Sequence, residues 1–292
     1  MSYLGIINKT KIWATPRIQN KLPTWVFPQH EQKFRAYCIG APKTGTTSIA
    51  TIFSKNHRSA HEPEASLVLE KILNYLDGKL DQKGLTQYIK NREIRLRLEM
   101  DSSHLNYLIL DILLNEFEDA KFILTVRDCY SWLNSLLNHH YPFYQRYGKT
   151  KRFENSKWTR YYNHIYKANY FKHAPQEEIL RTNNLYTLDG YFSYWANHNQ
   201  DVISQIPADR LIITTTSNID QSLPRIEEFL GLPQGTLPLN VKENRRDASS
   251  QTNILTQINK DFIEEKANLY CKELMSQFFP DIKRIEDSKI GI

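Results

Sequence analysis

Short apolar runs alternate with amphipathic stretches over most of the chain. Four runs rich in Ile, Leu, Val or aromatic residues predict buried strands: FRAYCIGA (34–41), RLRLEMD (95–101), AKFILTVRD (120–128) and DRLIITTTS (209–217). Apolar residues at helical spacing follow them in TSIATIFSKN (47–56), HLNYLILDILLNEF (104–117), YSWLNSLLNHH (130–140) and LPRIEEFLGLP (223–233). Strands that alternate with helices predict an α/β fold in which helices flank a central parallel sheet.

The pattern changes in two regions. Residues 1–34 mix aromatic residues with prolines and show no period, which predicts an irregular N-terminal arm packed on the core. Between residues 141 and 195 the regular pattern gives way to an aromatic and polar segment, which we interpret as a substrate cap on the α/β core. Because this segment reads as an insertion on the core and not as a separate domain, we predict a single domain over residues 1–292.

Composition narrows the class of protein. The chain is 40% hydrophobic, enough for a sizeable core, and its net charge of +6 suits an anionic ligand. Three cysteines without a CxxC pair favour a reducing compartment. The N-terminus does not resemble a signal peptide, and no apolar run approaches the ~20 residues of a membrane span. We therefore expect a cytoplasmic protein that needs no membrane.

The first strand leads into a turn suited to an anion. Lys43, Thr44, Gly45, Thr46, Thr47 and Ser48 follow Pro42 and open a predicted helix. The amides of a first helical turn lack partners and carry partial positive charge, and Lys43 adds a full charge to them. A nucleotide-hydrolysing loop would place its lysine after the last glycine, whereas this lysine precedes the turn.

A second candidate anion site follows the 120–128 run. Arg127 lies just past the end of that predicted strand, and Ser135 follows eight residues later, about two helical turns on. An arginine fork and a serine hydroxyl could together bind a separate phosphate.

These two elements resemble those of one enzyme family, the PAPS-dependent sulfotransferases. APKTGTTS resembles the family's PKSGTTW-like loop, which holds the 5′-phosphosulfate, and RDCYSWLNS resembles its RxxxxxxxS element, which holds the 3′-phosphate. DSSHLNYL places His104 where cytosolic members have a catalytic histidine, and FLGL resembles a late family signature. The resemblance covers roughly residues 36–250. It implies a P-loop-like sulfotransferase fold, PAPS as donor, PAP as product and no required metal.

The resemblance leaves two candidates for the general base. His104 matches the histidine of the cytosolic members, but Ser102 stands where their lysine usually lies. Glu64, or less favourably Glu62, matches the spacing of the catalytic glutamate in heparan-type and several bacterial members. The family's basic loop near the 3′-phosphate corresponds weakly to Arg245 and Arg246, which lack its glycine. Lys43 is the expected stabiliser of the leaving group.

We expect a small-molecule acceptor bound under the aromatic cap, and not a nucleic acid. A bacterial natural product such as a guanidinium alkaloid of the saxitoxin type is one candidate. A kinase-like phosphoryl-transfer enzyme is the nearest alternative, with Asp111 as its metal ligand. A basic nucleic-acid-binding protein and an inactive sulfotransferase-like scaffold are the others.

Overall fold

The computed structural model describes residues 31–147, 156–239 and 254–288, together with positions 19, 22, 26 and 27. Five strands form its sheet: β1 (Ala36–Cys38), β2 (Ser59–His61), β3 (Met100–Ser102), β4 (Lys121–Val126) and β5 (Leu211–Thr215).

Ten α-helices occur in the described residues. They are α1 (Thr46–Phe53), α2 (Ala65–Leu76), α3 (Gln82–Leu96), α4 (Leu110–Glu116), α5 (Cys129–Tyr147), α6 (Lys157–Ile165), α7 (Glu178–Thr182), α8 (Leu188–Gln205), α9 (Ile219–Leu230) and α10 (Lys260–Phe278). Short 3-10 turns cover His104–Ile109, Pro175–Glu177, Ala208–Arg210, Thr216–Asn218, Leu255–Gln257 and Ile285–Asp287.

The sheet has the order β2-β3-β1-β4-β5, and every neighbouring pair is parallel. From β1 the chain moves to one edge of the sheet, and from β4 it moves to the other. The direction in which successive strands are added to the sheet therefore reverses between β1 and β4. In open α/β sheets, ligands bind at such a switch point, beyond the carboxyl ends of the strands. Those ends carry the loops that begin at residues 39 and 127.

Two apolar clusters cover the two faces of this sheet. On one face Cys38 and Ile123 pack with α1 and α9, while on the other Tyr37 and Phe122 pack with α5, α8 and α10. Successive strand residues point to opposite faces, so these short strands bury side chains on both sides. The predicted α/β fold class, with helices on a central parallel sheet, is confirmed.

Two sequence-based boundaries need correction. The RLRLEMD run (95–101) is a strand only from Met100, because its first two residues complete α3. The predicted helix over 104–117 is a 3-10 turn followed by α4. Most of the predicted arm and part of the predicted cap lie outside the described residues. In the part of the chain that is described, no helix is long and apolar enough to cross a membrane.

Candidate active site

The loop between β1 and α1 presents backbone amides at the carboxyl edge of the sheet. Gly45 is the N-cap of α1 at a φ of 102°, which favours glycine, and it has no side chain to cap the first amides. Lys43 also has a positive φ, 69°. A Cβ on Gly40 would lie 2.1 Å from the Thr125 hydroxyl oxygen, so glycine is required for the close approach to β4.

The hydroxyl groups of this loop have different partners. Thr44 is fully buried; its hydroxyl donates to the Ala41 carbonyl at 2.7 Å and lies 2.9 Å from the Thr125 hydroxyl. The Thr44 hydroxyl therefore fixes the loop against β4. Thr46 is buried and Thr47 is exposed, and each hydroxyl lies 3.2 Å from Nε2 of His61.

Arg127 joins the second predicted anion site to the first. Its Nη1 donates to the Lys43 carbonyl at 3.4 Å, and its Nε donates to the Ser131 hydroxyl at 2.9 Å. Burial lowers the pKa of this guanidinium, and the nearby Asp128 carboxylate partly opposes that shift. The structure therefore places Arg127 next to the backbone of Lys43.

The start of α5 fixes the backbone around Arg127. Asp128 caps this helix by accepting from the Ser131 amide and hydroxyl. Asp128 also accepts from the Ser288 hydroxyl at 2.7 Å. Ser135 lies one turn beyond Ser131, half-buried.

His104 and Glu62 form a hydrogen-bonded pair beside the loop. Nδ1 of His104 lies 2.7 Å from Oε1 of Glu62. Nε2 of His104 is buried and has no hydrogen-bond partner among the residues that the structure describes. Burial raises the pKa of Glu62. The hydrogen bond from His104 and the charges of His104, His61 and His139 outweigh burial and lower that pKa overall. The carboxylate thus favours the tautomer with the proton on Nδ1 and the lone pair on Nε2.

Glu64, one of the two candidate bases from the sequence, forms an ion pair in the structure. Its carboxylate forms a bidentate ion pair with Arg95, with distances of 2.7 and 3.0 Å, and its side chain is only 5% exposed. Both carboxylate oxygens are therefore engaged by a buried guanidinium. Glu62, the less favoured carboxylate in the sequence, is the one that contacts His104. Ser102 donates its hydroxyl to the Thr46 carbonyl at 2.6 Å.

Aromatic rings of α6 and histidines of α5 lie near His104. The ring centroids of Tyr161 and Trp158 lie 5.7 and 6.5 Å from that of His104. Those residues belong to α6, and His139 and His140 project from the same region of α5. His140 is buried, and burial with the charges of His139, Lys43 and His104 lowers its pKa to about 3.

Sequence reasoning missed His61 and the pair His139–His140. His61 ends the short β2 strand, and no pattern around it marks its approach to the loop threonines. The histidine pair lies about two and a half helical turns beyond Ser131 on α5. The 3.6-residue period of this predicted helix could have placed the pair near the face that carries Ser131.

A buried, neutral histidine makes stability depend on pH. The pKa of His140 is lowered to about 3 and that of His198 to about 4, from 6.5. The unfolded chain takes up these protons below pH 6.5 while the folded chain does not, so stability falls as the pH falls. Between pH 7 and pH 5 each histidine should lower the free energy of unfolding by about 2 kcal/mol.

Urea unfolding of the wild type and of His140→Phe at pH 7 and pH 5 measures this loss. We expect the variant to lose less stability than the wild type, by about 2 kcal/mol. An equal loss in both proteins would show that His140 titrates normally in the fold.

Some of the residues predicted from the sequence are not part of the site described above. Arg245 and Arg246 lie outside the described residues. Asp111 lies inside α4 and not at a strand end, which removes the carboxylate that favoured a kinase-like site. Among the described residues, no group of three or more His, Cys, Asp or Glu side chains is arranged to hold a metal ion. All three cysteines are buried and free.

Comparisons with known proteins place this geometry in a family context. Residues 36–246 match the model described as "Sulfotransferase domain". No curated protein matches the chain.

Several solved structures are similar to the chain. The sulfotransferase domain from the curacin biosynthetic pathway is 14% identical, with 82% of this chain and 97% of that chain covered and a TM-score of 0.42. A sulfotransferase from Alicyclobacillus acidocaldarius is 14% identical, with coverages of 87% and 94% and a TM-score of 0.43. Sulfotransferase STF9 from Mycobacterium avium is 12% identical, with coverages of 94% and 81% and a TM-score of 0.45.

Proposed function

The chain belongs to the sulfotransferase domain family, and from that premise we propose that it moves a sulfuryl group from PAPS to a hydroxyl or amine of a small molecule. One observation carries the proposal: the Lys43 loop, Arg127 and the Glu62–His104 pair meet at the carboxyl edge of one sheet. Two anion sites and a hydrogen-bonded base are the parts that this reaction requires.

The donor lies across the switch point in this proposal. Lys43 and the amides at the start of α1 bind the 5′-phosphosulfate, because they combine a full positive charge with the N–H donors of a helix N-terminus. Arg127 and Ser135 bind the 3′-phosphate, which distinguishes PAPS from ATP. The Nη1 atom of Arg127 lies 3.4 Å from the Lys43 carbonyl, so the two groups are neighbours.

The chemistry is an in-line displacement at sulfur. The acceptor oxygen or nitrogen forms a bond to sulfur, the bond between sulfur and the bridging phosphate oxygen breaks, and its electron pair stays on PAP. Nε2 of His104 takes the acceptor proton, and Glu62 holds the ring through Nδ1. Lys43 stabilises the negative charge that develops on the bridging oxygen.

The acceptor binds against Trp158, Tyr161 and the α5 histidines. These rings suit a flat or cationic small molecule, because an aromatic face stacks against a flat ring and attracts a cation. We propose a natural product as acceptor, and a hydroxylated guanidinium alkaloid of the saxitoxin type belongs in the first panel beside phenols, aliphatic alcohols and amines.

A transfer assay tests the proposal. The protein is incubated with PAPS and each acceptor, and PAP release is measured together with the mass gain of one SO₃ on the acceptor. We expect both signals with at least one acceptor, no transfer from ATP, and a strong loss in Arg127→Ala. Phosphorylated product from ATP would favour the kinase-like alternative. No transfer by a folded, PAP-binding protein across all acceptor classes would favour an inactive scaffold.

A further inference from the structure

The segment that carries Glu62 has a conformation that its own sequence does not favour. Glu62 and Glu64 have φ values of 50° and 56°, in the left-handed region that residues with a Cβ rarely adopt. Pro63 lies between them, and a residue before proline prefers an extended conformation. Such a turn persists only where its surroundings hold it.

Two arginines of α3 form hydrogen bonds and an ion pair with residues 63 and 64 of this turn. Arg92, which is 1% exposed, donates from Nη2 to the Pro63 carbonyl at 2.9 Å and pairs with Asp101 of β3 at 2.7 Å. Arg95 donates from both terminal nitrogens to the two carboxylate oxygens of Glu64. The side chain of Arg95 is 2% exposed, so this pair is shielded from water.

The rest of the turn leaves Glu62 little choice of direction. Its amide donates to the Ser102 carbonyl at 2.9 Å, which extends the pairing of β2 with β3 by one residue. Its carbonyl accepts from the Ala65 amide at 3.1 Å, at the start of α2. With the backbone fixed on both sides, the carboxylate reaches Nδ1 of His104 at 2.7 Å.

We propose that Arg95 is a positioning residue whose ion pair with Glu64 holds the 62–64 turn so that the Glu62 carboxylate points at His104. The proposal rests on the proposed function, in which Glu62 and His104 serve sulfuryl transfer. Arg95 touches neither of these two residues in this account; it acts through the turn. A bidentate guanidinium suits this task because it fixes direction as well as charge.

The expected signature is a loss of turnover without a loss of donor binding. Arg95→Met should lower kcat at least tenfold and leave the dissociation constant of PAP unchanged within about twofold, because the 62–64 turn lies on the far side of β1 from Arg127. Arg95→Lys keeps the charge but not the fork, so it should fall between the wild type and Arg95→Met. The lysine variant also serves if the methionine variant is poorly folded.

A double-mutant cycle separates positioning from general stabilisation. In the Glu62→Gln background, Arg95→Met should lower kcat only slightly further, because both changes weaken the same interaction, the hydrogen bond between Glu62 and His104. Lys266→Met is the matched control, since its ion pair with Asp189 at 2.9 Å joins α10 to α8 away from the site. That control should lower stability and leave kcat unchanged. Independent, multiplying losses for Glu62→Gln and Arg95→Met would overturn the proposal.

A spectroscopic readout works even without turnover. The Nδ1 proton of His104 should give a downfield proton NMR signal in the wild type and in Lys266→Met. We expect that signal to disappear in Glu62→Gln and to shift or disappear in Arg95→Met. Its unchanged position in a folded Arg95→Met protein would contradict the positioning role. If the wild type shows the signal but transfers no sulfuryl group, the proposed function is wrong. The role of Arg95 in positioning Glu62 is then still supported.

Discussion

Replacing His104 with Gln should lower kcat for sulfuryl transfer by about 10²–10⁴, the usual contribution of a positioned general base. The reason is that its buried Nε2 is the site at which the acceptor proton is taken up in our account. PAP affinity should be nearly unchanged, because His104 serves the acceptor and not the donor. Steady-state kinetics with calorimetric PAP binding measures both quantities.

Two matched variants test the assignment of His104. Glu62→Gln should give a smaller loss of kcat than His104→Gln, since it removes the partner of the ring and not the base itself. His164→Gln changes an exposed histidine on α6 and should leave kcat unchanged. A fully active His104→Gln protein would rule out this histidine as the base.

Replacing Lys43 with Met should lower kcat by about 10²–10³, comparable to the removal of one donor that stabilises developing charge. The Lys43 side chain supplies the full positive charge beside the bridging oxygen in our account. Its backbone carbonyl, which accepts from Arg127, is retained in the variant. Methionine also keeps the Cβ, so the positive φ of 69° is no more strained than in the wild type.

The matched control for Lys43 lies on the same loop–helix unit. Lys55 is exposed just beyond the end of α1, away from the carboxyl edge of the sheet. We expect Lys55→Met to retain wild-type kcat and PAP affinity. Equal kcat in Lys43→Met and Lys55→Met would show that Lys43 carries no charge role in the transfer.

The fold could be predicted because it depends on local patterns. The strands before Lys43 and Arg127 are buried on both faces, so apolar runs mark them, and parallel strands bring their carboxyl ends to one edge. The approach of Arg127 to the Lys43 carbonyl follows from β1 and β4 being neighbours. The alternation of elements implied a parallel sheet, and the order of its strands comes from the structure.

The choice between Glu62 and Glu64 could not be predicted in the same way. The two carboxylates stand two residues apart, and their roles depend on Arg95, which belongs to a helix that follows in the chain. That helix was not predicted, and its last two residues, Arg95 and Leu96, were assigned to a strand because RLRLEMD alternates. The ion pair of Arg95 with Glu64 and the left-handed turn at Glu62 are tertiary features, and a local sequence pattern does not encode them.

The proposed function requires that the chain bind a nucleotide through a 3′-phosphate as well as a 5′-phosphate. Calorimetric titration with PAP, AMP and ATP tests it most directly, because PAP and AMP differ only in the 3′-phosphate. We predict that PAP binds at least about 100-fold more tightly than AMP, or about 2.7 kcal/mol. Arg127→Ala should reduce PAP affinity to that of AMP and leave AMP binding unchanged. Equal affinity for PAP and AMP, with tight binding of ATP, would contradict the account.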